Sequence, residues 1–145
     1  MAVLCACTAV GLFVLGRALD SAATNREERC AREADSKLAV LRSLLPAELP
    51  APPEAVRESR EEYGGDCTSD APAIEWRYRY SGTPAGFVDF YSAELTRRGW
   101  QPEPPGNVPG QLKTFSRTES DHRYLLVLYG PVPGVVDDFS VSLRY

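Results

Sequence analysis

Proline divides this chain into two unlike parts. All twelve prolines lie after residue 45, and the stretch before Pro46 has none. Because proline interrupts helices and central strands, the stretch before Pro46 can form one long helix, whereas the remainder must consist of short elements joined by loops. Of the fourteen aromatic residues (five Phe, two Trp and seven Tyr), all but Phe13 lie from Tyr63 onward. A packed core is therefore expected only in the C-terminal part.

Length, charge and histidine content exclude several classes of protein. A chain of 145 residues has room for one small domain. Sixteen basic against twenty acidic residues give a net charge of −4, which argues against nucleic-acid binding. The single histidine, His122, excludes a metal site built from several histidines, and the chain has no phosphate-binding loop, dinucleotide fingerprint or zinc-protease motif. We therefore expect no catalytic residues, no cofactor, no metal and no nucleic-acid partner.

Residues 1–23 are predicted to be a transmembrane anchor or a signal peptide. Residues 2–19 are apolar except for one arginine. Their length lies between that of a signal-peptide core and the roughly 20 apolar residues of a spanning helix. The small residues at 21–23 suit signal-peptide cleavage before Thr24, although no basic residue precedes the apolar run. A loose match to the lipobox of lipoproteins ends at Cys7, but it lies too close to the start of the chain. Two localisations stay open: attachment to the cell membrane, or secretion after cleavage.

The arginines and the cysteines predict opposite membrane orientations. Four arginines from residue 17 to residue 32 follow the apolar run and none precedes it, which by the positive-inside rule places the C-terminal part in the cytoplasm. Outside the run lie two cysteines, Cys30 and Cys67. An even number of cysteines in a small membrane-attached domain favours a disulfide in an oxidising compartment. We expect a disulfide between Cys30 and Cys67, with the globular part outside the cytoplasm.

Residues 24–45 are predicted to form a membrane-proximal helix. Thr24 and Glu27 have the spacing of a capping box. Apolar residues then recur at steps of three or four, which is the period of a helix with one apolar face. Two heptads are too few for a coiled coil, so a helix that rests on its own domain or extends the anchor is preferred over a partner-binding stripe. The stripe consists of Cys30, Ala34, Leu38, Leu41 and Leu45.

Residues 46–72 are assigned to a proline-rich linker and a turn that contains Cys67. Four prolines within residues 46–53 predict a stiff, extended spacer that ends the helix. Residues 54–63 are highly charged, and the choice between a short solvated helix and the lead-in to a strand stays open.

Residues 73–145 are predicted to form a small α+β domain. From Ile74 to Tyr80, aromatic and aliphatic residues alternate with charged residues, which is typical of a strand with one buried face. Further strands are expected at 111–117, 122–129 and 139–145, and residues 122–129 suit a central strand because they are apolar on both faces.

A helix is expected between the first and second of these strands. Thr83 is placed to cap its N-terminus, Pro84 suits its first position and Gly99 suits the left-handed residue that follows it. Trp100 is then placed to pack back on Leu95. The expected architecture has two layers in the order β-α-β-β-β: a mostly antiparallel sheet with one helix packed on one face.

The helix carries a motif that resembles one found in a known group of proteins. Phe90-Tyr91, Leu95 and Gly99-Trp100 form FY-x3-L-x3-GW, preceded by a proline-rich segment and an isolated cysteine. Residues 46–145 resemble small, uncharacterised cell-envelope proteins of high-GC Gram-positive bacteria, which are often lipoproteins or single-span membrane proteins. The resemblance implies location in the envelope and this fold; the group carries no catalytic residues to transfer.

The polar face of the predicted sheet is the candidate binding face, with Arg77, Arg79 and Arg144 as its cations. We expect a non-enzymatic, membrane-attached extracytoplasmic domain that binds or scaffolds a partner protein or an anionic envelope component. One alternative is an inhibitor or sensor module that contacts another protein through the proline loop 102–110 and the arginine-bearing face. A small enzyme is the remaining alternative, and neither paired carboxylates nor a nucleophile motif supports it.

Overall fold

Two helices and six strands are found in the part of the chain that the structure describes. The computed structural model describes residues 4–45, 49–64, 71–131 and 137–145, with side chains from Thr24 onward. The chain is an α+β protein, as the sequence predicts. In chain order its elements are α1 (Leu4–Leu44), β1 (Ala55–Tyr63), β2 (Ala73–Tyr80), α2 (Pro84–Arg97), β3 (Gln101–Pro102), β4 (Gln111–Glu119), β5 (His122–Tyr129) and β6 (Asp138–Arg144).

The six strands form one antiparallel sheet in the order β1-β2-β6-β5-β4-β3. β4 and β5 form a hairpin whose turn residues Ser120 and Asp121 have φ angles of 50° and 64°. Positive φ at both positions belongs to the type I′ turn, whose twist matches that of the flanking strands. β5 is an internal strand, as its apolar pattern predicts, and Val127 on its second face is buried.

The sheet has two more strands than the four predicted. The undecided residues 54–63 form the edge strand β1, so the segment assigned to the linker contains a strand. Charged side chains of β1 find partners on neighbouring elements, because Glu58 pairs with Arg79 of β2 and Glu62 pairs with Arg42 of α1. The two-residue strand β3 pairs with Ser116 and Phe115 and has no apolar alternation by which to predict it.

The ends of α2 agree with the expected capping residues. The Thr83 hydroxyl accepts a hydrogen bond from the Gly86 amide at 3.1 Å, and the proline occupies the start of the helix. Gly99 has φ 82°, and the Trp100 amide donates to the Leu95 carbonyl at 3.0 Å. Trp100 is fully buried, so the prediction that this tryptophan packs rather than presents a surface is confirmed.

Two helices, rather than the single one expected, pack on the same face of the sheet. The C-terminal turns of α1 and the residue that follows them pack in one core with the apolar residues of α2 and β2, through Leu38, Leu41, Leu44 and Leu45. The expectation of one covering helix is wrong because the leucine stripe of α1 needs an apolar surface, and β2 supplies it. The alternative in which this helix rests on its own domain agrees with the structure.

The preceding turns of α1 extend away from the core. From Thr24 to Ser36 the described side chains are exposed or half-buried. Ion pairs one turn apart, from Arg32 to Glu28 at 3.6 Å and from Lys37 to Glu33 at 2.6 Å, support this solvated surface.

Several predictions fall on residues that the structure does not describe. Within the described residues, no helix combines the length and apolar character needed to cross a membrane. The side chains of the apolar run 2–19 and of the cleavage site 21–23 lie outside the description, as do residues 46–48 and the turn 65–70 with Cys67. The anchor, the signal peptide and the disulfide therefore stay predictions.

Candidate binding cleft on the open sheet face

The candidate binding face lies opposite the two helices. Along β2, Glu75, Arg77 and Arg79 alternate with the buried Ile74, Trp76, Tyr78 and Tyr80, so that they point away from the core. In the part of the chain that the structure describes, no helix lies on this side of the sheet. We call it the open face.

A cleft of about 440 Å³ lies on the open face. Its floor is formed by the polar residues of β2 and β6, and its wall by the start of the β4–β5 hairpin and the end of β5. Nine residues line it: Glu75, Arg77, Pro109, Gly110, Tyr129, Gly130, Asp138, Ser140 and Arg144.

Arg144 is held inside the cleft by neutral groups. Its Nε donates a hydrogen bond to Ser142 Oγ at 3.0 Å, and its Nη2 donates to the hydroxyl of Tyr129 at 2.9 Å. The guanidinium carbon also lies 5.7 Å from the centre of the Tyr129 ring, within the range of a cation–π contact. These contacts orient the exposed side chain, and none of them is to a carboxylate.

The carboxylates that line the cleft do not neutralise Arg144. Arg77 Nε donates to Glu75 at 3.0 Å, and this hydrogen bond raises the pKa of the Arg77 guanidinium above its ordinary value. Asp138 lies six residues from Arg144 on the same strand, which is roughly 20 Å in an extended chain. Among the described residues, Arg144 has no carboxylate within ion-pair distance. A fixed guanidinium with spare donors is suited to a carboxylate or phosphate group.

The structure separates the three arginines that the sequence grouped together. Arg77 and Arg144 line the cleft, whereas Arg79 lies outside it and pairs with Glu58 of the edge strand. Sequence reasoning did not find Tyr129, because only the pairing of β5 with β6 places this residue beside Ser140.

The proline loop contributes to the same cleft. Its last residues, Pro109 and Gly110, line the cleft next to Gly130. The Gly130 amide donates to the Gly110 carbonyl at 2.9 Å, and Gly110 has φ 77°, a conformation that favours glycine. Val108, just before them, is 54% exposed.

The remaining residues considered from the sequence lie elsewhere. Cys30 is half-buried on α1, and its expected partner lies outside the described residues. His122 is exposed, with its ring centre 5.3 Å from that of Tyr145. Among the described residues, no group of three or more His, Cys, Asp or Glu side chains is arranged to hold a metal ion.

Comparison with known proteins adds no assignment. No protein-family model matches the chain, and no curated protein and no solved structure shows significant similarity to it. The arguments about function therefore depend on the residues and geometry described above.

Proposed function

We propose that this protein is a non-enzymatic, membrane-attached binding domain whose globular part lies outside the cytoplasm. The open-face cleft is the binding site, and its ligand presents a carboxylate or phosphate, either on an anionic envelope component or on a partner protein. The observation that carries the proposal is Arg144: Ser142 and Tyr129 hold it in a cleft without a carboxylate partner among the described residues.

The chemistry of the cleft supports an anionic ligand. Arg144 offers donors that its intramolecular hydrogen bonds do not use, because a guanidinium has five N–H groups. Because Tyr129 and Ser142 already orient the Arg144 side chain, binding a ligand costs this side chain little further conformational entropy. Ser140 adds a hydroxyl on the floor between Arg77 and Tyr129, which flank it in the sheet register.

The form of α1 supports attachment through the N-terminus. The helix begins at Leu4, carries a solvated surface after Thr24 and is fixed to the core by its last leucines. Such a helix is suited to hold the domain at a distance from an anchor in residues 1–23. The resemblance to small cell-envelope proteins of high-GC Gram-positive bacteria supports the same location.

Charge reversal with a matched control tests the binding site. We expect Arg144→Glu and Arg77→Glu each to abolish crosslinking of the full-length protein to its ligand in the producing cells, as identified by mass spectrometry. Arg79→Glu is the control, because this residue lies on the same face and the same strand as Arg77 but outside the cleft. Circular dichroism confirms that each variant is folded. Unchanged crosslinking in both cleft variants would contradict the proposal.

An inhibitor or sensor module is a second candidate, because the proline loop borders the cleft. A partner protein seated at Arg144 would also touch Pro109 and the exposed Val108. In that case Val108→Asp weakens capture, and protease treatment of the envelope extract removes the ligand. If the ligand is an anionic polymer, protease treatment would not remove it, and its capture by the Val108→Asp variant would be unchanged.

A further inference from the structure

A second space lies on the other side of the sheet, between α1 and the edge of β2. Its volume is about 270 Å³. Its apolar walls are formed by Leu41 of α1, Leu45 just after it, and Ile74 and Trp76 of β2. The charged residues Arg42, Arg60 and Glu62 lie at its rim.

The space exists because β1 supplies charged residues where the core needs apolar ones. In the sheet register Glu62 is opposite Ile74, and Arg60 is opposite Trp76, so both face the side that α1 covers. Long charged side chains direct their ends toward water rather than fill an interior. Since protein interiors are otherwise close-packed, a gap of this size beside buried leucines is unusual.

One wall of the space is formed by the buried side chain of Trp76. Trp76 is 2% exposed, and its Nε1 has no hydrogen-bond partner among the described residues. The indole N–H only donates, and buried polar groups normally have a partner. Because this nitrogen is closed to solvent, Trp76 contributes its apolar ring rather than its N–H to the wall of the space.

Two cations and one anion are among the residues that line the space. Glu62 accepts a hydrogen bond from Arg42 Nε at 3.1 Å and lies 2.7 Å from Arg60 Nη2, so that two guanidinium groups share one carboxylate. The guanidinium of Arg60 also lies 5.9 Å from the centre of the Trp76 ring, at the mouth of the apolar space. Asp35 of α1 also attracts Arg42 electrostatically, so Arg60 at the mouth is the cation best placed to meet a negative charge on a ligand.

We propose that this space binds a small monocarboxylic acid with an apolar body. The body packs against Leu41, Leu45 and Ile74, and the carboxylate lies at the rim with Arg42 and Arg60. An apolar cavity of about 150 Å³ accepts a molecule the size of benzene, so 270 Å³ is suited to a medium-chain fatty acid or an aryl acid. The site is separated from the open-face cleft by the sheet and does not depend on it.

Octanoate and its neutral analogue octanol test the proposal. The chain has two tryptophans, so in the otherwise full-length Trp100→Phe variant the fluorescence reports on Trp76 alone. We expect octanoate to change this fluorescence saturably and to bind at least about tenfold more tightly than octanol, the difference that one charge-assisted contact provides. Binding that is absent up to millimolar octanoate, or equal for the two compounds, would overturn the proposal.

Two further variants locate the ligand. Arg60→Gln should weaken octanoate binding about tenfold and leave octanol binding unchanged, whereas Arg79→Gln on the open face should change neither. Leu45→Phe fills the space and should remove octanoate binding while near-ultraviolet circular dichroism stays native. If Leu45→Phe does not fold, a brominated octanoate, which quenches tryptophan fluorescence on contact, is used instead. Quenching of Trp76 that plain octanoate reverses would support the site. Fluorescence that stays unquenched would overturn the proposal.

Discussion

The hydroxyl of Tyr91 donates a hydrogen bond to the carbonyl oxygen of Pro50, at a distance of 3.2 Å. The two residues are 41 positions apart in sequence, and the bond fastens the proline segment after α1 to the middle of α2. Tyr91 is fully buried, and its burial raises its pKa far above the ordinary value. Burial also raises the pKa of the neighbouring Tyr78, whose ring centre lies 6.3 Å away.

These tyrosines predict a loss of stability at alkaline pH. In the unfolded chain a tyrosine releases its proton near pH 10, whereas in the folded protein Tyr91 keeps it at higher pH. The folded state then binds more protons than the unfolded state, so the free energy of unfolding falls as the pH rises above about 10.

Tyr91→Phe tests both contributions of this residue. At pH 7 the variant should be about 1 kcal/mol less stable, because it lacks the hydrogen bond to Pro50. Above pH 10 its stability should fall less steeply than that of the native protein, by up to about 1.4 kcal/mol per pH unit. Urea unfolding between pH 7 and pH 11 measures both effects, and parallel pH profiles for the two proteins would contradict the second.

The last turns of α1 are predicted to be part of the folded core. Leu41 is fully buried, so Leu41→Ala should destabilise the protein by about 2–5 kcal/mol. Its neighbour Val40 is 37% exposed, and Val40→Ala should change stability by less than about 0.5 kcal/mol. Equal effects of the two substitutions in urea unfolding would show that α1 does not pack as described.

Gly99 is predicted to be required for its backbone conformation rather than for space. A Cβ placed there meets no atom within 4 Å, but the φ angle of 82° is unfavourable for alanine. Gly99→Ala should therefore cost about 1 kcal/mol. Gly64→Ala is the control, because its Cβ would lie 3.7 Å from that of Ala34, in ordinary contact. Thermal unfolding of both variants measures the difference, and a neutral Gly99→Ala would refute the strain argument.

The predicted disulfide receives support from the position of Gly64. Gly64 lies beside Ala34, which is one helical turn from Cys30 on α1. Three residues of chain reach about 10 Å, and four residues along a helix span about 6 Å, so the connection is feasible. We expect Cys30 and Cys67 to resist alkylation until reductant is added, as measured by mass spectrometry.

Replacing one of these cysteines gives a second readout. Cys67→Ser should lose about 3–4 kcal/mol of stability under oxidising conditions if the disulfide is unstrained. Alkylation of both cysteines in freshly isolated protein, without reductant, would argue against an extracytoplasmic location and favour the orientation indicated by the arginines.

The elements with strong local signals could be predicted from the sequence. The ends of α2 follow from Thr83, Pro84 and Gly99, because capping depends on residues within one turn. The position of β5 inside the sheet follows from its two apolar faces. In contrast, β1 has charged residues on both faces, and its place in the sheet depends on partners such as Arg42 and Arg79 that are distant in sequence.

The candidate site could be predicted only in part for the same reason. Strand alternation is local, and it correctly placed Arg77 and Arg144 on the polar face. Whether an arginine is neutralised depends on pairing between residues distant in sequence. Arg79 forms an ion pair with Glu58 of β1, whereas Arg144 donates a hydrogen bond to the hydroxyl of Tyr129. The space at Trp76 has no local signal at all, because it results from the register between β1 and β2.

Among the six described strands, the one that joins the two halves of the sheet is synthesised after the other five. β6 lies between β2 and β5, so the strands made before it form two separate ladders in which the edges of β2 and β5 are still unpaired. Unpaired strand edges recruit other chains. A nascent chain that stalls before residue 138 therefore leaves the edges of β2 and β5 both unpaired. The six-stranded sheet can therefore form only after β6, through Arg144, has left the ribosome.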